Sequence, residues 1–245
     1  MKIDILTLFP NFYDSPLSIG IIKTALEEKK VNINIVNMRE FGEGNYKRCD
    51  DYPYGGGPGV ILTFNIFKKY FDNNKKGHTI FFTPSGTTIT QKKIKELSQK
   101  EHLTFVLGHY EGIDYRIEEK YVDECISIGD YVLSGGEIPS LLLLDAIIRY
   151  KGVMNNNDSV VSDTFEDNSN GLLEYEQYTR PELIDNMKVP NILLSGHHKK
   201  IEEYRRERSL IKTFNIRADL FSKLQLNHKD IKTIYNYLIN KTNNN

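Results

Sequence analysis

Cysteine is scarce in this 245-residue chain, which carries only Cys49 and Cys125. The two lie far apart, outside the short Cys or His spacings of a structural zinc, and a reducing cytoplasmic compartment is their simplest setting. An excess of one charge is also missing. With 32 Lys and Arg against 33 Asp and Glu the net charge is -1, so no global field draws the chain onto nucleic acid or membrane. Any RNA contact must come from a local basic patch. Long apolar runs are absent too: the longest, Leu141 to Ile148, is interrupted by Asp145 and cannot span a bilayer. The amino-terminal MKIDILTLFP has too short an apolar run for a signal peptide. No Gly-x-Gly-x-x-Gly opens a helix after a strand, and neither a Gly-Lys-Ser/Thr loop nor Gly-x-Ser-x-Gly occurs. Readings as a dinucleotide, nucleoside triphosphate or serine-hydrolase site are weakened accordingly. His197-His198, at the start of a basic helical stretch, reads as solvated rather than as a metal site.

What is present, over residues 1 to 150, is an alternation of short β-rich runs with helical patterns, which predicts a mostly parallel sheet covered on both faces. Strands are expected at Ile3 to Phe9, at Val31 to Ile35, at Thr79 to Thr83, at Leu103 to Leu107 and at Cys125 to Ile128. Two of them end at Pro84-Ser85-Gly86 and Gly108-His109, as buried parallel strands do at a site-forming edge. Helical spacing is expected over Leu17 to Lys30, Gln91 to Lys100, Asp114 to Tyr121 and Ile138 to Tyr150. A stretch rich in Asn, Asp and Ser from Asn155 to Asn170 reads as a linker. Beyond it, His198 to Phe214, Ala218 to Leu226 and Lys229 to Asn240 read as helices of a small carboxyl-terminal domain, the last capped by Asn227.

Four segments put glycine, proline and isolated polar groups where a ligand can meet bare backbone. They are DDYPYGGGPG (50 to 59), GHYEGID (108 to 114), ISIGDYVLSGGEIP (126 to 139) and GLLEYEQYTRP (171 to 181). Singly, each reads equally well as a loop. In this order, and with Leu193-Leu194-Ser195-Gly196-His197-His198 downstream, they closely resemble the bacterial tRNA (guanine-N1)-methyltransferase family over nearly the whole chain.

The resemblance implies an α/β fold of the SPOUT type: a parallel sheet with a deep trefoil knot over residues 1 to 154, a linker over 155 to 170, and a small all-helical tRNA-binding domain over 171 to 245. Periodicity alone gives an unknotted doubly wound sheet, since true knots are nearly absent from proteins. It also implies an S-adenosylmethionine site in three loops. The first supplies Phe82, Thr83 and Pro84, and the second Gly108, Tyr110, Glu111 and Gly112. The third supplies Ile128, Gly129, Tyr131, Leu133, Gly135, Gly136 and Pro139. Ile128 and Leu133 would flank the adenine; ordinary core packing is their alternative. The glycines would let the ligand approach main chain closely. Glu111 is the implied holder of a Mg²⁺.

Methyl transfer to guanine N1 needs the N1 proton removed, and the resemblance assigns that role to Asp163, although Asp158 and Asp167 look equally good as loop acids from the residues alone. Arg149 matches the family arginine beside guanine O6; its alternative is a cation completing a helix carboxyl terminus. Between Lys199 and Arg217 seven Lys or Arg face three Glu, a patch suited to phosphates, with Lys199, Arg205, Arg206, Arg208 and Lys212 as candidate contacts. A solvated helix with Glu202, Glu203 and Arg206 paired along itself is the other reading. The family implies a homodimer with composite sites, and modification of the guanosine at tRNA position 37 in support of reading-frame maintenance. Departures gather where RNA should bind: Tyr204 stands where members usually carry Trp, Tyr115 replaces a polar residue, and Asn215-Ile216-Arg217 has fewer arginines than usual. A same-fold methyltransferase of another RNA, or a non-catalytic RNA-binding relative, are the competing functions.

Overall fold

A computed structural model describes residues 1–153, 164–165 and 171–243. The chain divides into two compact units, residues 1–155 and 156–245. In chain order the first unit contains β1 (Lys2–Thr7), α1 (Gly20–Glu27), β2 (Asn32–Asn37), β3 (Asp50–Asp51), β4 (Ile61–Leu62), α2 (Phe64–Asn73) and β5 (His78–Thr88). It continues through α3 (Gln91–Ser98), β6 (His102–Leu107), α4 (Tyr115–Tyr121), β7 (Glu124–Ser127) and α5 (Glu137–Arg149).

Five of these strands form one parallel sheet in the order β2-β1-β6-β5-β7. Both faces are covered, and the central strands β5 and β6 accordingly carry apolar stretches such as Ile80-Phe81-Phe82 and Phe105-Val106-Leu107, while the edge strand β2 alternates Asn with Ile. Ile3, Ile5, Ile80, Phe82, Leu103 and Phe105 pack against the layer of α1, α3 and α5. The alternate residues Leu6, Phe81 and Val106 face α2 and α4. Leu143, Leu144, Ile147 and Ile148 of α5 are 0–1% exposed, and each such side chain contributes about 1.5–3 kcal/mol of transfer free energy.

The structure departs from the sequence reading at several ends. β5 does not stop at Pro84-Ser85-Gly86 but shifts register and resumes pairing with β7, so that Ile126 opposes both Phe82 and Thr87. A Cβ at Gly86 would lie 2.6 Å from the Cys125 and Ile126 backbone, so only glycine admits this close approach. The first helix begins at Gly20, because Pro10–Tyr13 and Pro16–Ser18 form tight 3-10 turns ahead of it. Helix α2 and the β3–β4 pair were not anticipated.

The second unit holds a two-stranded hairpin of β8 (Leu183–Ile184) and β9 (Met187–Lys188), then helices α6 (Asn191–Leu194), α7 (His198–Ile216), α8 (Ala218–Phe221) and α9 (His228–Asn243). The all-helical expectation is therefore corrected. Asp185 and Asn186, at φ 47° and 63°, supply the left-handed pair that a two-residue hairpin turn demands. α8 also ends at Phe221 rather than Leu226. Leu172, Leu210 and Ile234 form the core of this unit. Asn227 caps α9 as expected, its Oδ1 accepting from the amides of Lys229 (2.9 Å) and Asp230 (3.0 Å).

Candidate active site

A cavity of about 260 Å³ opens at the carboxyl ends of β5, β6 and β7. In parallel α/β sheets this edge gathers the loops that meet ligands. Phe82, Thr83 and Pro84 line it from β5, Gly108, Tyr110, Glu111 and Gly112 from the loop after β6. Ile128, Gly129, Tyr131, Leu133, Gly135, Gly136 and Pro139 line it from the segment joining β7 to α5. All fourteen residues named for the donor thus lie in one wall.

The loops are joined by main-chain bonds. The amide of Gly136 donates to the carbonyl of Gly108 at 3.1 Å, and His109 forms a bridge with Gly135. The amide of Glu111 donates to the Val60 carbonyl at 3.1 Å, tying the second loop to the end of the glycine-rich segment. The glycines serve this packing. A Cβ would come within 3.0 Å of the Phe81 ring at Gly108, 2.7 Å of the Tyr131 ring at Gly129 and 3.0 Å of Leu107 at Gly136. At these positions glycine also admits close packing by the protein's own residues, and each of the three still lines the cavity.

Beneath the cavity wall runs a buried polar chain. Glu137, 8% exposed in the first turn of α5, accepts at 2.8 Å from the hydroxyl of fully buried Thr7. Thr7 in turn accepts from the amide of Phe9 at 2.9 Å. The second Glu137 oxygen lies 2.4 Å from where a Gly135 Cβ would stand. The Ser140 hydroxyl lies 2.7 Å from the Glu137 carbonyl and 2.6 Å from the Tyr13 hydroxyl, whose pKa burial pushes upward. A helix amino terminus favours the carboxylate held there. Sequence reasoning named none of Thr7, Tyr13 or Glu137 as site residues; the Gly-Gly-Glu string was the available signal. It likewise passed over His109, Val132 and Ser134, which line the cavity within quoted motifs.

Other expected site residues lie elsewhere. Arg149 ends α5, ten residues beyond Pro139 and roughly 15 Å along the helix at 1.5 Å per residue. It is not among the residues lining the cavity. Asp163 falls outside the described residues. Of the expected RNA contacts, Arg206 is held by both oxygens of Asp230 (2.9 and 2.8 Å) and Arg208 by both oxygens of Glu176 (3.0 Å each). Lys212 donates to the Glu174 carbonyl at 2.8 Å, and Arg205 lies 4.8 Å over the Tyr175 ring. Lys199 is exposed. Pairing of Arg206 along its own helix is thus replaced by pairing across to α9, where Lys229 also reaches Glu203 at 2.8 Å.

Among the described residues, no three His, Cys, Asp or Glu side chains cluster as a metal site. Glu111 lines the cavity and could supply one carboxylate to a Mg²⁺, an ion that takes most of its remaining oxygens from water and substrate. Nor is any helix among the described residues long and apolar enough to cross a membrane.

A parallel sheet with a cavity at its carboxyl edge places the chain in the α/β class, whose members bind small molecules at that edge. The family model described as tRNA (Guanine-1)-methyltransferase TrmD matches residues 1–223, and the chain belongs to that family. It is 44% identical over 242 residues to the tRNA (guanine-N(1)-)-methyltransferase of Staphylococcus carnosus, covering 97% of each chain. Its identity to the Staphylococcus haemolyticus protein of the same name is 43%, covering 100% of each. For the Bacillus cereus (strain B4264) protein of that name it is 45%, covering 95% of this chain and 96% of the relative.

Proposed function

We propose that this chain transfers a methyl group from S-adenosylmethionine to N1 of the guanine at tRNA position 37, as a cytoplasmic homodimer that supports reading-frame maintenance. One observation carries the reading. A chain of this family gathers every residue named for the donor around a single cavity.

The donor, when bound, supplies an electrophilic methyl group. The rest falls to the protein. Main chain of the three loops, stiffened by the Gly136–Gly108 bond, would grip the adenosine, with Ile128 and Leu133 on its flat faces and Tyr131 and Pro84 closing the wall. Asp163 would accept the N1 proton, leaving the ring nitrogen a free lone pair for attack. Arg149 would stabilise the negative charge that gathers on O6.

The separation of Arg149 from the Pro139 wall along α5 supports a composite site, with donor loops from one chain and Arg149 and Asp163 from a second. The return of β5 to β7 on both sides of Ile126 and the closure of Gly136 onto Gly108 support the knotted path that the family implies. We assign donor binding to residues 1–154 and tRNA contacts to 171–245. There Lys199 and Arg205 are better placed for phosphate than Arg206 and Arg208, whose guanidinium forks already hold carboxylates.

Mass mapping of the nucleoside formed from tRNA and donor tests the reaction; any product other than N1-methylguanosine would overturn it. Asp163→Asn should retain donor binding by calorimetry while turnover falls by orders of magnitude. Turnover near normal in that variant would place the base elsewhere.

A further inference from the structure

A row of flat side chains stands at the rim of the cavity, and of its members only Tyr110 belongs to the donor residues described above. The rings of Phe9 and His109 are 4.8 Å apart at 61°, and those of His109 and Tyr110 are 5.0 Å apart at 30°. The Arg39 guanidinium caps the row, 5.7 Å from the Phe9 ring centre. His109 and Tyr110 line the cavity, while Phe9 and Arg39 lie outside its lining. The row therefore leads away from the donor's place.

Its geometry is fixed from several sides. His109 Nδ1 accepts from the amide of Tyr110 at 3.0 Å, so the neutral ring carries its proton on Nε2. Tyr110 sits at φ 58°, a left-handed conformation that a large side chain adopts only when its surroundings hold it there. Phe9 is set by its amide on Thr7, and Arg39 by its Nε on the Leu8 carbonyl (3.3 Å). Yet the row stays partly in water: Phe9 is 39% and Tyr110 46% exposed. Large aromatics held rigid and left in water at a cavity mouth, beside a cation, match what an unpaired nucleobase requires. Proteins that read single-stranded RNA stack splayed bases on aromatic, histidine and arginine planes.

We propose that Phe9, backed by His109 and capped by Arg39, is a stacking platform for the nucleotide next to the target guanine. The inference rests on the RNA-methylation reading. A target base held at the donor brings its chain neighbours within one nucleotide of the rim. There, Phe9 meets the neighbouring base and Arg39 its phosphate. Every base has a π face, so the platform orients the RNA without choosing its sequence.

The test places 2-aminopurine on either side of the target guanosine in a tRNA transcript and compares wild type with Phe9→Leu, Phe9→Tyr and Arg39→Gln. With wild type, binding should quench the probe at one of the two positions. Phe9→Leu should lose that quenching and raise KM for tRNA about tenfold, with kcat and donor affinity retained, and Phe9→Tyr should restore both. Arg39→Gln should lower the salt dependence of tRNA binding, as loss of a phosphate contact does. If Phe9→Leu keeps the quenching and the KM, the platform is wrong. It is equally wrong if donor affinity falls in step with KM, because Phe9 then only packs the cavity loops. Wild-type production of N1-methylguanosine is the control, and its absence would remove the functional reading rather than the platform alone.

Discussion

Thr7 sits at the end of β1 with its hydroxyl between the Phe9 amide and the Glu137 carboxylate. Replacing it with the isosteric Val strands a buried donor and a buried acceptor together. Thr7→Val should lower unfolding free energy by roughly 1–3 kcal/mol and weaken donor binding, while Thr7→Ser should largely preserve both. Urea denaturation and calorimetry measure the two effects. The thiols give a second prediction. Burial raises the Cys49 pKa, and burial together with Glu118 pushes Cys125 up to about 11. Only a small thiolate fraction exists at neutral pH, and the thiolate is the nucleophile. Iodoacetamide should thus modify the folded protein slowly near pH 7.5, faster as pH approaches 11, and rapidly after unfolding. Fast labelling of the native protein at neutral pH would contradict these environments.

At the scale of elements, α7 and α9 are clasped by Arg206 and Asp230, whose carboxylate is 3% exposed. The Arg206 guanidinium holds the Asp230 carboxyl below its ordinary value of 3.8, against burial, with the Asn227 amide assisting. A depressed folded-state pKa means the stabilisation is present above about pH 4 and disappears as pH falls through the folded value. Asp230→Asn should destabilise the carboxyl-terminal unit at pH 7 by about 2 kcal/mol, with the difference from wild type shrinking towards pH 2. A constant difference across that range would rule out the pair as its source.

How far these elements were legible follows from their residues. The sheet was readable because strands covered on both faces are rich in apolar residues, and the cavity-lining loops because glycine and proline accumulate where those strands end. α2 was missed although Ile66, Phe67 and Tyr70 have helical spacing and are buried. Its aromatic and asparagine residues are weak helix formers, and it follows a glycine-rich loop. The β8–β9 hairpin was missed because its strands are two residues long, with Leu183 and Met187 58% and 69% exposed and no apolar alternation to detect. The partners of Arg206 and Arg208 lie 24 and 32 residues away, a separation that no local pattern encodes.

For the molecule as a whole, the composite homodimer proposed above predicts the outcome of subunit exchange. Asp163→Asn and a donor-site variant such as Gly136→Val should each be inactive alone. Mixed after reversible dissociation, they should recover about a quarter of wild-type turnover, because half the dimers are hybrids with one intact site in two. No recovery despite demonstrated exchange would confine each site to one chain.

The sheet order also has a consequence during synthesis. β1 leaves the ribosome before the strands it pairs with: its neighbours are β2, 30 positions on, and β6, about 100 positions on, and one of its covering layers is completed only by α5. The apolar Ile3 and Ile5 must therefore wait, unshielded, until most of the first unit has been translated. At common elongation rates that interval lasts about 10 seconds or more, which makes this strand of the nascent chain a natural client for holding chaperones.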